Sequence, residues 1–178
     1  MSLKQNAHNS KKHASIQDEL VKNLTELLHA NVSLIFPKAW NTEYYYWFQE
    51  IEKDAFRGEL RYSFEEVEEK VNAEGVLFLF ILINNVPEAF ILGNASQIES
   101  REVFFLDTIA VKNRGRGIGK MLLKFLINWV KKEKYMGIFL YTEDIDEKNI
   151  SLRDFYERFG FVLEKQEVDG NLSMILWF

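Results

Sequence analysis

Hydrophobic and polar positions alternate along this chain in blocks whose period changes from helix-like to strand-like and back. Residues 1–14 are polar, carry no apolar period, and are expected to be a loose tail, disordered or foreign to the domain. Ile16, Leu20, Leu24, Leu27 and Leu28 then fall on one helical face, with Ser15 and Asp18 near capping-box spacing, predicting a helix over 15–30. Residues 32–36 read as a short strand stopped by Pro37. Tyr45, Phe48, Ile51 and Phe56 predict a helix over 42–56. Ser63 and Glu66 form a capping box that opens a second, acidic helix with Phe64, Val67 and Val71 inward. The unbroken apolar run Val76–Ile83 predicts a buried strand, Asn84-Asn85 a tight turn, and Val86–Leu92 its hairpin partner. Residues 93–100 read as a polar loop and Val103–Val111 as the next strand. Ile118, Met121, Leu122, Phe125, Trp129 and Val130 give residues 117–132 a broad apolar helical face. A strand at Ile138–Tyr141, a short helix over 149–159 stopped by Gly160, and two strands around Asp169-Gly170-Asn171 complete the chain. No repeat and no linker interrupts this order. It predicts a single α/β domain over 15–178, built on one sheet, with the helix at 15–30 as an N-terminal addition.

Composition narrows the chemistry. The 178 residues include no cysteine, which removes disulfides, cysteine–zinc sites and thiol nucleophiles. There are 3 histidines; His8 and His13 lie in the polar start, and His29 sits alone on a helix pattern, so neither a histidine metal site nor a triad is expected. The net charge of −5 argues against general nucleic-acid binding. The longest apolar run is far shorter than the ~20 residues of a membrane span, and the N-terminus lacks the apolar core of a signal peptide, so a cytoplasmic protein is expected. The 15% aromatic content is read chiefly as core.

One stretch stands apart. Arg114-Gly-Arg-Gly-Ile-Gly-Lys120 lies between a strand and a long helix. Glycines let backbone N–H groups approach a ligand, the following helix points its positive dipole end there, and three cationic side chains add full charges. This is the chemistry of a phosphate cradle, such as a pyrophosphate needs. It is not a Walker loop, because Lys120 is followed by Met121, and Gly115, Gly117 and Gly119 lack the dinucleotide spacing.

The pattern that fits is Arg-x-x-Gly-x-Gly at Arg114, Gly117 and Gly119, and here the chain resembles the GCN5-related N-acetyltransferases (GNAT), whose acetyl-CoA pyrophosphate loop has that form. Asn149 with Tyr156 seven residues on, followed by Gly160-Phe161, resembles the fourth-helix signature of the same family, and the order of elements over residues 103–162 is the family's order. The connection Val111-Lys-Asn-Arg114 is shorter than usual there. The resemblance implies a mixed, mostly antiparallel central sheet flanked by helices. It implies direct transfer of the acetyl group of acetyl-CoA to a primary amine of a protein, peptide or small molecule, with CoA as product. A non-catalytic acyl-CoA-binding module is the alternative. It allows a homodimer and implies no metal.

Residue by residue, the resemblance places Arg114, Arg116, Gly117, Ile118, Gly119 and Lys120 at the phosphates. Ile109, Ala110 and Val111 would hold the pantetheine and acetyl carbonyl through their backbone. Asn149 and Ser151 would bond the pantetheine, or alternatively cap the helix after them. Tyr156 would be the general acid that protonates the departing thiolate, or else a core aromatic beside Phe155 and Phe159. The general base is open among carboxylates: Glu143 and Asp144 after one strand, and Glu102 and Asp107 on another. Asp107 sits amid apolar residues, where burial would favour its protonated form, and Glu143 lies nearer to the catalytic glutamate of related peptide acetyltransferases. Residues 42–72 would line the acceptor side, with the acidic run Glu65, Glu66, Glu68 and Glu69 able to attract a cationic amine or simply face water.

Overall fold

A computed structural model describes the backbone of residues 3–178 and the side chains of residues 15–178. Helix α1 (Leu3–Leu28) leads to β1 (Val32–Ile35), followed by α2 (Thr42–Ala55), α3 (Phe64–Val71), the hairpin β2 (Leu77–Ile83) and β3 (Val86–Ile98), and β4 (Arg101–Val111). Then come α4 (Ile118–Glu133), β5 (Gly137–Thr142), α5 (Leu152–Glu157), β6 (Val162–Gln166) and β7 (Leu172–Trp177). The tail expected over 1–14 lies outside the residues whose side chains are described. Ser15 falls inside α1 rather than capping it.

The seven strands form one sheet in the order β1-β2-β3-β4-β5-β7-β6. Every pairing is antiparallel except β4 with β5. The run in β2 is buried at all seven positions because both faces of the sheet are covered. Leu77, Leu79, Ile81 and Ile83 face α1 and α4, meeting Leu20, Leu24, Leu122 and Leu126. Phe78, Phe80 and Leu82 face α2 and α3, meeting Phe48, Ile51 and Val67. Phe48 stacks on Phe90 with centroids 4.2 Å apart. Each such buried side chain contributes roughly 1.5–3 kcal/mol relative to exposure. The α1 stripe explains the additional helix: Leu20 and Leu24 close the core beside α4.

Local signals formed as read where their chemistry is local. Ser63 and Glu66 make both capping-box bonds, 3.2 Å to the Glu66 N–H and 2.7 Å from the Ser63 N–H. Asn84 and Asn85 both take positive φ, 52° and 65°, as a two-residue primed turn requires. The polar stretch 93–100 is not a loop: β3 runs through it to Ile98, paired with β4 down to Ile98↔Arg101. Ladder bonds to β4 outweigh the polar composition. At Gly93 a Cβ would lie 2.4 Å from the Phe105 carbonyl and 2.5 Å from the Phe104 ring, so only glycine fits this close approach.

Candidate active site

The sheet opens at its centre. β4 and β5 pair only over Phe104–Leu106 and Ile138–Leu140. Beyond that point β4 stays with β3 as far as Ala89↔Val111, and β5 stays with β7 as far as Thr142↔Leu172. The two strands therefore part into a wedge. A bulge sits at its apex, since Leu92 pairs Thr108 but Gly93 pairs Leu106, leaving Asp107 as the extra residue. Past Leu106, alternate residues of β4 turn backbone N–H and C=O groups toward the gap with no strand to receive them. Ile109 and Val111 send their side chains to the α1–α4 core, and Ala110 sends its to the α2–α3 core.

The glycine loop crosses the mouth of this wedge. Gly117 caps α4 in the left-handed region, φ 83°, and a Cβ there would also approach Leu27 of α1 to 3.1 Å. The first bond of the helix runs from the Met121 N–H to the Gly117 carbonyl, 3.1 Å. The N–H groups of Ile118, Gly119 and Lys120 therefore have no partner within the helix and point outward with the positive dipole end. Ile118 is 1% exposed and anchors the turn in the core. Arg116 and Lys120 are exposed, and Arg116 has a loose contact with Glu88 at 4.0 Å. Free donors, an open approach at the glycines and two exposed cations fit a pyrophosphate group.

Arg114 behaves differently. Its guanidinium donates to the Asp146 carboxylate and to the Ala55 carbonyl at the end of α2. Asp146, with a side chain only 2% exposed, also accepts the N–H groups of Lys148 (2.9 Å) and Ile150 (2.8 Å). Asn149 is not the cap of α5: it takes φ 60°, and its N–H donates to the Asp146 carbonyl. The cap is Ser151, whose hydroxyl accepts the Asp154 N–H at 3.0 Å. Tyr156 is 7% exposed, edge-on to Phe155 and Phe161, and its hydroxyl makes no hydrogen bond among the described residues. Burial pushes its phenol well up, and the Arg114 charge pulls partly back.

The candidate carboxylates have different surroundings. Asp107 is not isolated among apolar groups: Lys70 donates to it at 2.7 Å, Thr108 at 3.1 Å and the Tyr62 hydroxyl at 3.5 Å. Glu143 follows β5 at the rim, paired with Arg57, which also holds Glu59 at 2.9 Å. Asp144 is exposed, its carbonyl accepting the Leu152 N–H, and Glu102 lies at the far end of β4. Phe105, Phe139 and Tyr141 form an aromatic floor beyond α2 and α3, with centroids 4.9–6.1 Å apart. Beside Tyr141 lies an open depression of about 740 Å³, lined also by Glu167, Val168, Asp169 and Asn171.

Glu52 is the group that reading the sequence missed. It is fully buried, its carboxylate receives the Tyr62 N–H at 3.3–3.4 Å, and burial raises its pKa to about 8 against the pull of that N–H and of Arg61. The signal was present: Phe48, Ile51, Glu52 and Ala55 share the buried stripe of α2, so a carboxylate occupies a core position.

Residues 36–161 match the model of the acetyltransferase (GNAT) family. No curated protein sequence is a close match. Among solved structures, the NatC complex bound to Gag peptide and CoA is 20% identical, with TM-score 0.66, covering 83% of this chain and 98% of that one. Arabidopsis thaliana Naa50, in complex with the bisubstrate analogue CoA-Ac-MVNAL, is 21% identical, with TM-score 0.63 and coverage of 83% and 99%. Aminoglycoside 6'-acetyltransferase type Ii is 21% identical, with TM-score 0.67 and coverage of 82% and 96%. The parted strands, the N–H-rich loop opening α4 and the match over residues 36–161 together place the chain in the acetyltransferase (GNAT) family, as an acetyl-CoA-dependent N-acetyltransferase.

Proposed function

We propose that this enzyme acetylates the amine of a peptide or protein, with Glu143 taking up the amine proton and Tyr156 supplying a proton to the departing thiolate. The observation that carries the acceptor class is the open surface beside Tyr141 at the β6–β7 turn, next to the Thr142 end of β5 where the sheet parts. An extended chain can lie along such a surface with its amine at the wedge, whereas a compact amine would leave most of it unused. Two of the neighbours have peptides or peptide analogues in their complexes, which is consistent with that use of the fold.

Bound acetyl-CoA supplies an activated acetyl thioester. Backbone N–H groups of Gly117–Lys120 and the charges of Arg116 and Lys120 hold its phosphates. The free edge of β4 at Ile109, Ala110 and Val111 receives the pantetheine, with Ser151 and the Asn149 backbone on the facing loop. Of the carboxylates, Asp107 is committed to Lys70, while Glu143 lies on the rim with a partner that can be exchanged. An arriving ammonium can replace Arg57 at Glu143 and then give it a proton. An α-amine with pKa ~7.7–8.0 yields that proton more readily than a lysine near ~10.4. The buried Tyr156 phenol stays protonated across the working range and is a standing donor. Use of acetyl-CoA as the donor is consistent with work in the cytoplasm.

The test is CoA release from acetyl-CoA with unmodified peptides, polyamines and aminoglycosides as acceptors. Turnover with peptides is expected. Turnover confined to polyamines or aminoglycosides would reject the acceptor class, and CoA binding without turnover on any amine would point to the non-catalytic module.

A further inference from the structure

The side chain of Arg114 occupies the first position of the glycine motif, yet both of its terminal nitrogens already donate to protein groups. Asp146 Oδ2 accepts from one end and the Ala55 carbonyl from the other, with Glu147 3.9 Å away. Three segments far apart in sequence meet on this one guanidinium: the end of α2, the cofactor loop and the β5–α5 loop. The carboxylate it holds is 2% exposed, and a buried carboxylate stripped of its cation is costly, so Arg114 does not swing away to a phosphate. Asp146 in turn shapes the turn that carries Asn149 and Ser151, through the N–H groups of Lys148 and Ile150. Lys148 returns to α2 as well, donating to the Asp54 carbonyl at 3.3 Å, so two cations sit on the final carbonyls of that helix. The Asn113 N–H, one residue before Arg114, donates to the Asp54 carboxylate at 3.0 Å.

We propose that Arg114 is a positioning residue: its guanidinium straps the cofactor loop to the β5–α5 loop and to the end of α2, fixing the width of the wedge. Phosphate binding then falls to the backbone N–H groups of the loop and to Arg116 and Lys120. This rests on acetyl-CoA as the donor.

The test compares R114K, D146N, the double variant R114K/D146N, and R116E as a phosphate control. Two readouts are used: amide hydrogen exchange at Lys148 and Ile150 without ligand, and KM for acetyl-CoA and for phosphate-free S-acetylpantetheine. The strap predicts that R114K and D146N each speed exchange tenfold or more and raise KM for both donors by similar factors, with the double variant no worse than either single one. R116E should leave exchange unchanged and raise KM for acetyl-CoA alone. R114K with normal exchange and a higher KM for acetyl-CoA only would make Arg114 a phosphate ligand and overturn the proposal, as would a D146N variant that behaves like the parent. Should D146N not fold, R114K against the parent decides by the same exchange criterion. Because exchange is read without donor, a failure of the acetyl-CoA reading leaves the strap independently measurable.

Discussion

At the scale of single residues, two of the buried ionisable groups, Tyr156 and Glu52, do opposite work. Tyr156 is buried and its hydroxyl has no protein partner among the described residues, so the hydroxyl contributes nothing evident to the fold. Tyr156→Phe is therefore expected to leave the melting temperature unchanged while lowering kcat by ~10²–10⁴, the usual range for loss of a general acid. Calorimetry should return the parent affinity for acetyl-CoA; equal kcat in both proteins would make Tyr156 a core aromatic. Glu52 affects stability instead. Its pKa is about 8 when folded, against 4.5 as the ordinary value. Below the lower value both states are protonated. Between the two the unfolded chain loses its proton and the folded protein keeps it, so stability falls as pH rises, by at most about 1.4 kcal/mol per pH unit. Above the upper value this contribution levels off. Glu52→Gln keeps an acceptor for the Tyr62 N–H and removes the titration. Urea midpoints at pH 5, 7 and 9 should show the variant gaining on the parent as pH rises, and parallel curves would refute the shift.

At the scale of elements, what was legible depended on how far apart the deciding atoms are in sequence. The capping box at Ser63 and Glu66 and the Asn84-Asn85 turn formed as read, because each is decided within a few residues. The β2 run was legible because burial on both faces leaves no polar position. Residues 93–98 misled because the partner that makes them a strand lies in β4, and of the two possible caps, Asn149 and Ser151, only Ser151 serves because the turn before it is set by Asp146. The Arg114–Asp146 and Lys70–Asp107 pairs span 32 and 37 residues, and no local spacing announces them. Glu52 was visible as an anomaly on the α2 stripe. The N-terminal helix, read from five apolar positions, carries a prediction of its own. Leu24 is fully buried in the core that α1 shares with α4. Leu24→Ala should cost ~2–5 kcal/mol. For a chain of this size that is a melting temperature lower by roughly 5–15 °C, measurable by calorimetry. A shift under about one degree would mean that α1 is not part of the cooperative core.

At the scale of the whole molecule, a protein of net charge −5 has to gather a polyanionic donor. The long-range field opposes this, so attraction must come from the loop itself, where the α4 dipole, free N–H groups and two exposed cations lie together. Binding at a hundredfold excess over Kd would stabilise the protein by about 2.7 kcal/mol, a rise in melting temperature of roughly 5–10 °C. Gly117→Glu is a poor probe of that attraction, because φ 83° and the nearby Leu27 strain any side chain there and would damage the fold as well. Reversing Arg116 and Lys120 to glutamate is cleaner. Both are exposed, so the unliganded melting temperature should change little. The rise with CoA should largely vanish in this variant, and in the parent it should shrink between 50 and 500 mM salt as the charges are screened. A variant that keeps the full rise would mean that backbone N–H groups alone hold the phosphates; a parent whose rise ignores salt would mean that burial of the pantetheine carries the binding instead.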